Sequence, residues 1–206
     1  MRIKLAVLVS GRGSNLEAIL SAIKSGALDA KVEVVLSNKP DAPALAIARE
    51  HGVHALALDQ KGLGRVEHEE KLLQELAKYP VDFVVLAGYM RVLSPVFLKQ
   101  FKDPTGGFYR IINIHPSLLP AFPGKNAYED AFSAGVSQSG ITVHLVDEQV
   151  DHGPILAQRS FIRQTSDTVE TFKARGLAVE HALFAEVLQE IAHHGISQLI
   201  KEPVKP

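Results

Sequence analysis

One repeated pattern restricts this chain more than any other: short apolar runs bounded by turn residues alternate with longer amphipathic stretches. The runs are "KLAVLV", "KVEVVLS", "HALAL", "DFVVLA", "RIINIH", "ITVHLV" and "ILAQRSFI". Between the first four, apolar residues recur at helical spacing over 15–25, 43–51 and 66–79, and Gly26, Gly52 and Pro80 end these stretches. Strand, helix, strand repeated in this way implies right-handed crossovers and a mostly parallel, doubly wound α/β sheet with helices on both faces. Such sheets bind ligands at the carboxyl ends of their strands, so polar residues there are the candidates for function.

The last third changes character. "ITVHLV" and "ILAQRSFI" are separated only by 147–154, too short for a crossover helix, so an antiparallel pair through a polar loop is expected. A long final helix, about 168–194, repeats apolar residues at Leu177, Phe184, Val187 and Ile191 and should pack on the sheet. A length of 206 residues suits one domain over 1–206, with an N-terminal half to about residue 100 and a C-terminal half beyond it. Disorder is expected only in the terminal "KEPVKP".

Lys plus Arg number 22 against 23 for Asp plus Glu, with no run of like charge, which excludes the electrostatic footprint of a nucleic-acid binder. Anionic ligands must therefore be held by local geometry. The absence of cysteine excludes disulfides, thiolate metal sites and cysteine nucleophiles. Histidines are plentiful, yet "EIAHH" supplies a single Glu-x-x-His and no H-E-x-x-H occurs, so these and 67–70 read as solvated helix faces and no metal is expected. Ser10 and Gly11 interrupt the first apolar run too early for a signal peptide or membrane span. The expected address is the cytoplasm, with small molecules as partners, no nucleic acid or membrane, and a monomeric or homodimeric state.

Three stretches carry candidate chemistry. "SGRGSN" follows a strand and opens a helix, where side-chain-free backbone and the positive helix end suit a phosphate. It is neither a Walker loop nor G-x-G-x-x-G, and a tight turn with Ser14 or Asn15 as helix cap explains it as well. In "NIHPSLLPAFPG", Asn113 and His115 share one strand face while Ile112 and Ile114 take the other. An amide or imidazole buried there without partners costs roughly 2 to 7 kcal/mol, so both must meet a ligand, water or local backbone. Spacing alone leaves catalysis and local satisfaction equally open. Asp151, in "DEQVDHGP", could meet His115 and favour its protonated form, or belong with Asp147 and Glu148 to a solvated loop.

"NIHPSLLPAFPG" followed by "HLVDEQVDHGPILAQ", with "GRGSN" near the start and "LAGYMRVL" between, resembles the signature of the folate-dependent formyltransferases. Within that family the resemblance, from about Lys4 to Ile191, is to the branch acting on glycinamide ribonucleotide. It implies a Rossmann-like fold and transfer of a formyl group from 10-formyltetrahydrofolate, the co-substrate, to the amine of 5'-phosphoribosylglycinamide in purine synthesis. The catalytic trio it implies is Asn113, His115 and Asp151. The ribonucleotide would be bound by Gly13, Ser14, Asn15 and Glu180. The folate would meet Arg65, Met90, Arg91, Val92, Leu93, Asn113, Asp147, Glu148, Gln149 and Val150. Glu180 lies between Leu177 and Phe184 on the helical stripe, where an unpaired carboxylate is costly, which supports a bound partner.

Two stretches depart from the family pattern. "KDPTGGFYR", 102–110, is longer than the usual connection, and His152 stands where small residues are common; both are expected to be surface features. Three other readings share some of these residues. A formyltetrahydrofolate hydrolase would use water in place of the amine, would have no use for a phosphate turn and would carry an N-terminal regulatory domain. A methionyl-tRNA formyltransferase would bring a C-terminal domain and a basic surface. A non-catalytic nucleotide-binding module would leave the trio as coincidence.

Overall fold

The computed structural model describes residues 2–200, so the expectation for "KEPVKP" falls outside the described residues. Seven strands form one sheet: β1 (Ile3–Val9), β2 (Ala30–Ser37), β3 (Ala55–Ala57), β4 (Phe83–Leu86), β5 (Ile111–His115), β6 (Gln138–Leu145) and β7 (Ile155–Ile162). Their order is β3-β2-β1-β4-β5-β6-β7. The first five pair in parallel, as the alternation over the first four predicts for those, and β6 runs antiparallel to both neighbours; its pairing with β7 is the one the short 147–154 connection predicts. The chain winds outward from β1 to β3, then returns to β4 on the other side of β1. The switch in direction therefore opens a crevice at the carboxyl ends of β1 and β4.

Helices cover both faces: α1 (Ser14–Ser25), α2 (Ala44–Glu50), α3 (Arg65–Leu76), α4 (Pro95–Gln100), α5 (Ala127–Ser133) and α6 (Val169–His194). Alternate residues of each strand feed two cores. Val7, Ile112, Ile114 and Val143 meet Leu16, Phe172 and Phe184 on one face; Leu8, Val84 and Ile111 meet Leu72, Phe97 and Leu98 on the other. Among the described residues no helix is long and apolar enough to cross a membrane.

The structure differs from the sequence expectations in three places. Helices α4 and α5 were not anticipated, being six and seven residues long and too short to show a period; α4 starts at Ser94, whose hydroxyl accepts the Phe97 N–H, with Pro95 at its first position. On α6, Phe184, Val187 and Ile191 are buried but Leu177 is only half-buried, and Gly176 and Glu180 sit on the inward face. Segment 102–110 is not wholly a surface feature, because Phe108 is buried in the α6-side core.

Candidate active site

Strand β5 delivers two polar side chains to one wall. With Ile112 and Ile114 committed to the α6-side core, Asn113 and His115 point to the opposite face at the open end of the sheet. The antiparallel register sets His144 of β6 directly across from Asn113 and Thr142 across from His115. The loop after β6 then carries Asp151 back over this pair, with Asp151 itself in the left-handed region at φ 54°. Gly153 permits that return: a Cβ there would lie 1.9 Å from the Leu145 carbonyl oxygen.

The Asp151 carboxylate accepts the Gly124 N–H at 2.7 Å, lies 3.3 Å from His115 Nδ1 and 3.8 Å from His144 Nε2. His115 Nε2–H donates to the Phe122 carbonyl at 2.8 Å. Nε2 of His115 thus faces a backbone acceptor, and its Nδ1 lies at ion-pair distance from the Asp151 carboxylate. His144 is buried beside them. Burial holds its pKa below the ordinary imidazole value, and its Nδ1–H donates to the Leu145 carbonyl at 2.9 Å. Its Nε2 is therefore a lone pair, which accepts one N–H of the Asn113 amide at 3.2 Å. The neutral imidazole fixes which end of the amide is nitrogen, and one N–H of Asn113 is left for another acceptor.

At the start of the chain, Gly13 rather than Ser14 or Asn15 caps α1, so that cap reading is corrected; no side chain bonds to the cap. Gly13 has φ 86°, and a Cβ on it would lie 2.6 Å from Ala44 Cβ, so α2 approaches too closely for any other residue. The Asn15 side chain turns instead toward α6 and donates to Glu180 at 2.8 Å. Glu180 is buried, and the Tyr128 hydroxyl donates to its other oxygen at 2.5 Å. Burial, followed by the Glu180 charge, pushes the Tyr128 pKa far up, so it stays a donor.

Segment 88–94 is held from both ends. The Ser10 hydroxyl accepts the Met90 N–H at 2.8 Å and donates to Asn38 at 2.5 Å, while Asn38 and Arg91 both donate to Gln60. Buried Glu69 accepts the Ser94 N–H at 2.8 Å and the Ser94 hydroxyl. Met90 and Val92 remain exposed.

These pieces wall one cavity of about 430 Å³, lined by Asn15, Met90–Leu93, Asn113, His115, His144, Asp147–Asp151 and Glu180, with Gly124 and Lys125. Of the residues singled out from sequence, Gly13, Ser14 and Arg65 do not line it, though Arg65 opens α3, the helix that holds Ser94 through Glu69. His152 is exposed and donates to Asp147 at 2.7 Å. Among the described residues no group of three or more His, Asp or Glu gathers as a metal site. Sequence reading missed His144 and Tyr128. His144 was legible as the polar member of "ITVHLV" once that strand is paired with "RIINIH", whereas nothing local marks Tyr128.

A formyl transferase family model matches residues 3–188, which takes in every residue of this cavity. The chain belongs to the formyl transferase family. A relative within it, the phosphoribosylglycinamide formyltransferase of Bacillus subtilis (strain 168), is 39% identical over 189 residues, covering 91% of this chain and 94% of that one. The "trifunctional purine biosynthetic protein adenosine-3" of Gallus gallus is 39% identical over 192 residues, which are 93% of this chain but 18% of that protein. Among solved formyl transferase structures, glycinamide ribonucleotide transformylase 1 from Symbiobacterium toebii superposes with a TM-score of 0.86 at 43% identity, covering 93% of this chain and 88% of that one.

Proposed function

We propose that this formyl transferase moves the formyl group of 10-formyltetrahydrofolate to the amine of 5'-phosphoribosylglycinamide, a step of purine biosynthesis. The observation that carries the reading is the convergence of Asn113, His115 and Asp151 on one wall of a cavity that also contains the Asn15–Glu180 pair. The folate occupies the part between 90–93 and 147–150, whose exposed Met90, Val92 and Val150 suit a flat ring system. The ribonucleotide lies toward Glu180, its phosphate on the N–H groups of Gly13, Ser14 and Asn15 that open α1.

Attack of the neutral amine on the formyl carbon builds an oxyanion. Asn113, its amide oriented by His144, donates the remaining N–H to that oxygen. His115 shares its Nε2–H with Phe122, so it contributes positive charge and a proton source beside the oxyanion, with Asp151 as its counter-charge. The C–N10 bond breaks as the proton lost by the attacking nitrogen reaches N10, with Asp151 ordering the water that relays it. Holding the two substrates in contact supplies much of the remaining acceleration, since effective molarities for oriented groups reach about 10⁵ M or more.

The test is spectrophotometric: loss of the formyl group from the folate is followed with and without the ribonucleotide. Loss that requires the ribonucleotide, with stoichiometric formyl in the amide product, is expected. Equal loss in its absence would replace the transferase with a hydrolase, and no loss in either case would refute catalysis at this site.

A further inference from the structure

Segment 102–110, between α4 and β5, is a compact hairpin with an aromatic anchor. Lys102 and Tyr109 pair as an antiparallel bridge, Asp103 N–H donates to the Phe108 carbonyl at 2.8 Å, and Arg110 N–H donates to the Phe101 carbonyl at 2.8 Å. The Asp103 carboxylate ties the tip together by accepting from Thr105 N–H at 2.9 Å and Gly106 N–H at 2.6 Å. Phe108 is buried and Arg110 donates to the Asp82 carbonyl at 2.9 Å, so the hairpin is fixed to the sheet at its base. From this rigid support the Tyr109 hydroxyl donates to Glu148, in the loop that carries Asp151.

That loop has few other holds. Among the described residues, the hydrogen bonds and ion pairs from 147–152 to the rest of the chain are those of Asp151 at one end and the Tyr109–Glu148 bond at the other. The remaining ones, Gln149 N–H to Asp147 and His152 to Asp147, are internal to the loop. Between the two holds run the residues that wall the cavity on the proposed folate side, and Asp151 sits there with φ 54°, a conformation that the surroundings must maintain.

We propose that Tyr109 is a positioning residue for the formyl donor: through Glu148 it holds loop 147–152 closed against the cavity and keeps Asp151 presented to His115. The inference rests on the reading of this cavity as the donor site. The Tyr109 bond, aided by Lys99 and Lys102, keeps Glu148 below the usual carboxylate range, so the acceptor stays ionised. The 102–110 hairpin thus takes part in substrate binding from outside the cavity, since Tyr109 is not among the residues lining it.

The test is Tyr109→Phe, which removes one hydroxyl and keeps the ring. Deuterium uptake of amides 147–153 should rise about threefold to tenfold, the loss expected for one ordinary hydrogen bond at a solvent-exposed site, with uptake elsewhere unchanged. In steady state KM for the folate should rise by a similar factor while KM for the ribonucleotide stays as in wild type and the melting temperature falls by no more than about 5 °C. Combining Tyr109→Phe with Glu148→Gln should add little to Tyr109→Phe alone, because phenylalanine has already released Glu148 from the hairpin. Unchanged uptake in 147–153 overturns the proposal whether or not the protein is active. Faster uptake with an unchanged folate KM overturns the positioning role and leaves the proposed reaction standing. An inactive wild type refutes the proposed reaction, and the uptake result then still decides the tether.

Discussion

Gly176 lies on the inward face of α6, where alanine would normally be preferred, and Tyr128 gives the reason. A Cβ at 176 would lie 2.3 Å from Tyr128 Cε1 and 2.4 Å from its hydroxyl oxygen. The nearest of these is about 1.2 Å short of an ordinary 3.5 Å contact, so in Gly176→Ala the ring has to move by more than an ångström. The movement breaks the hydroxyl's 2.5 Å bond to Glu180. Losing a bond to a charged group costs about 1.5–3 kcal/mol, and alanine returns about 1 kcal/mol of helix propensity. The net is destabilisation of about 1 kcal/mol or slightly more, a fall in melting temperature of roughly 2–4 °C for a chain of this size. Glu180 would be left with Asn15 as its remaining partner, and KM for the ribonucleotide should rise several-fold with the folate KM unchanged. Thermal denaturation with steady-state kinetics on Gly176→Ala and Tyr128→Phe checks both parts. A Gly176→Ala protein that melts higher than wild type, with the ribonucleotide KM intact, would refute the reasoning.

Gly13→Ala should be more damaging, because the left-handed φ of 86° and the 2.6 Å approach to Ala44 coincide. The backbone cost alone is about 1–2 kcal/mol, so a drop of several degrees in melting temperature together with a higher ribonucleotide KM is expected. Stability should also depend on pH through His144 and His68, whose folded pKa values burial lowers from 6.5. Below about 6.5 the unfolded chain binds more protons than the folded one, so stability is complete above that pH and declines as pH falls toward the folded values. Urea midpoints at pH 7.5 and 5.5 would show this as a lower midpoint at 5.5, and His144→Gln should reduce the difference. Equal midpoints in wild type would contradict the buried, neutral assignment.

Period and turn chemistry made the sheet legible. "KLAVLV" and "KVEVVLS" are apolar on both faces because a parallel sheet is covered on both, and the eight residues after Leu145–Val146 left no room for a crossover. The pairing of Asn113 with His115 on one face also follows from strand alternation. The partnership of Glu180 with Asn15 and Tyr128 does not, because it joins residues 165 and 52 positions apart. Such contacts depend on how helices pack over the sheet, which local pattern leaves open. His144 was hidden for a related reason: its role depends on the register of β5 against β6, and one step of slip would have sent it into the α6-side core. Phe108 shows the limit of composition, since "KDPTGGFYR" reads as solvated loop although one aromatic ring in it anchors the hairpin.

The measurement that tests the central claim most directly is the initial rate of ribonucleotide-dependent formyl loss in Asp151→Asn beside wild type. Asparagine keeps the shape, tolerates the left-handed backbone and can still accept the Gly124 N–H, so the fold should be retained, and only the charge facing His115 is removed. With Asp151 ordering the relay water and standing as the counter-charge to His115, the rate should fall about 10² to 10⁴-fold with circular dichroism and melting temperature near wild type. A rate within a few-fold of wild type would contradict the assignment of Asn113, His115 and Asp151 as the groups that carry the reaction.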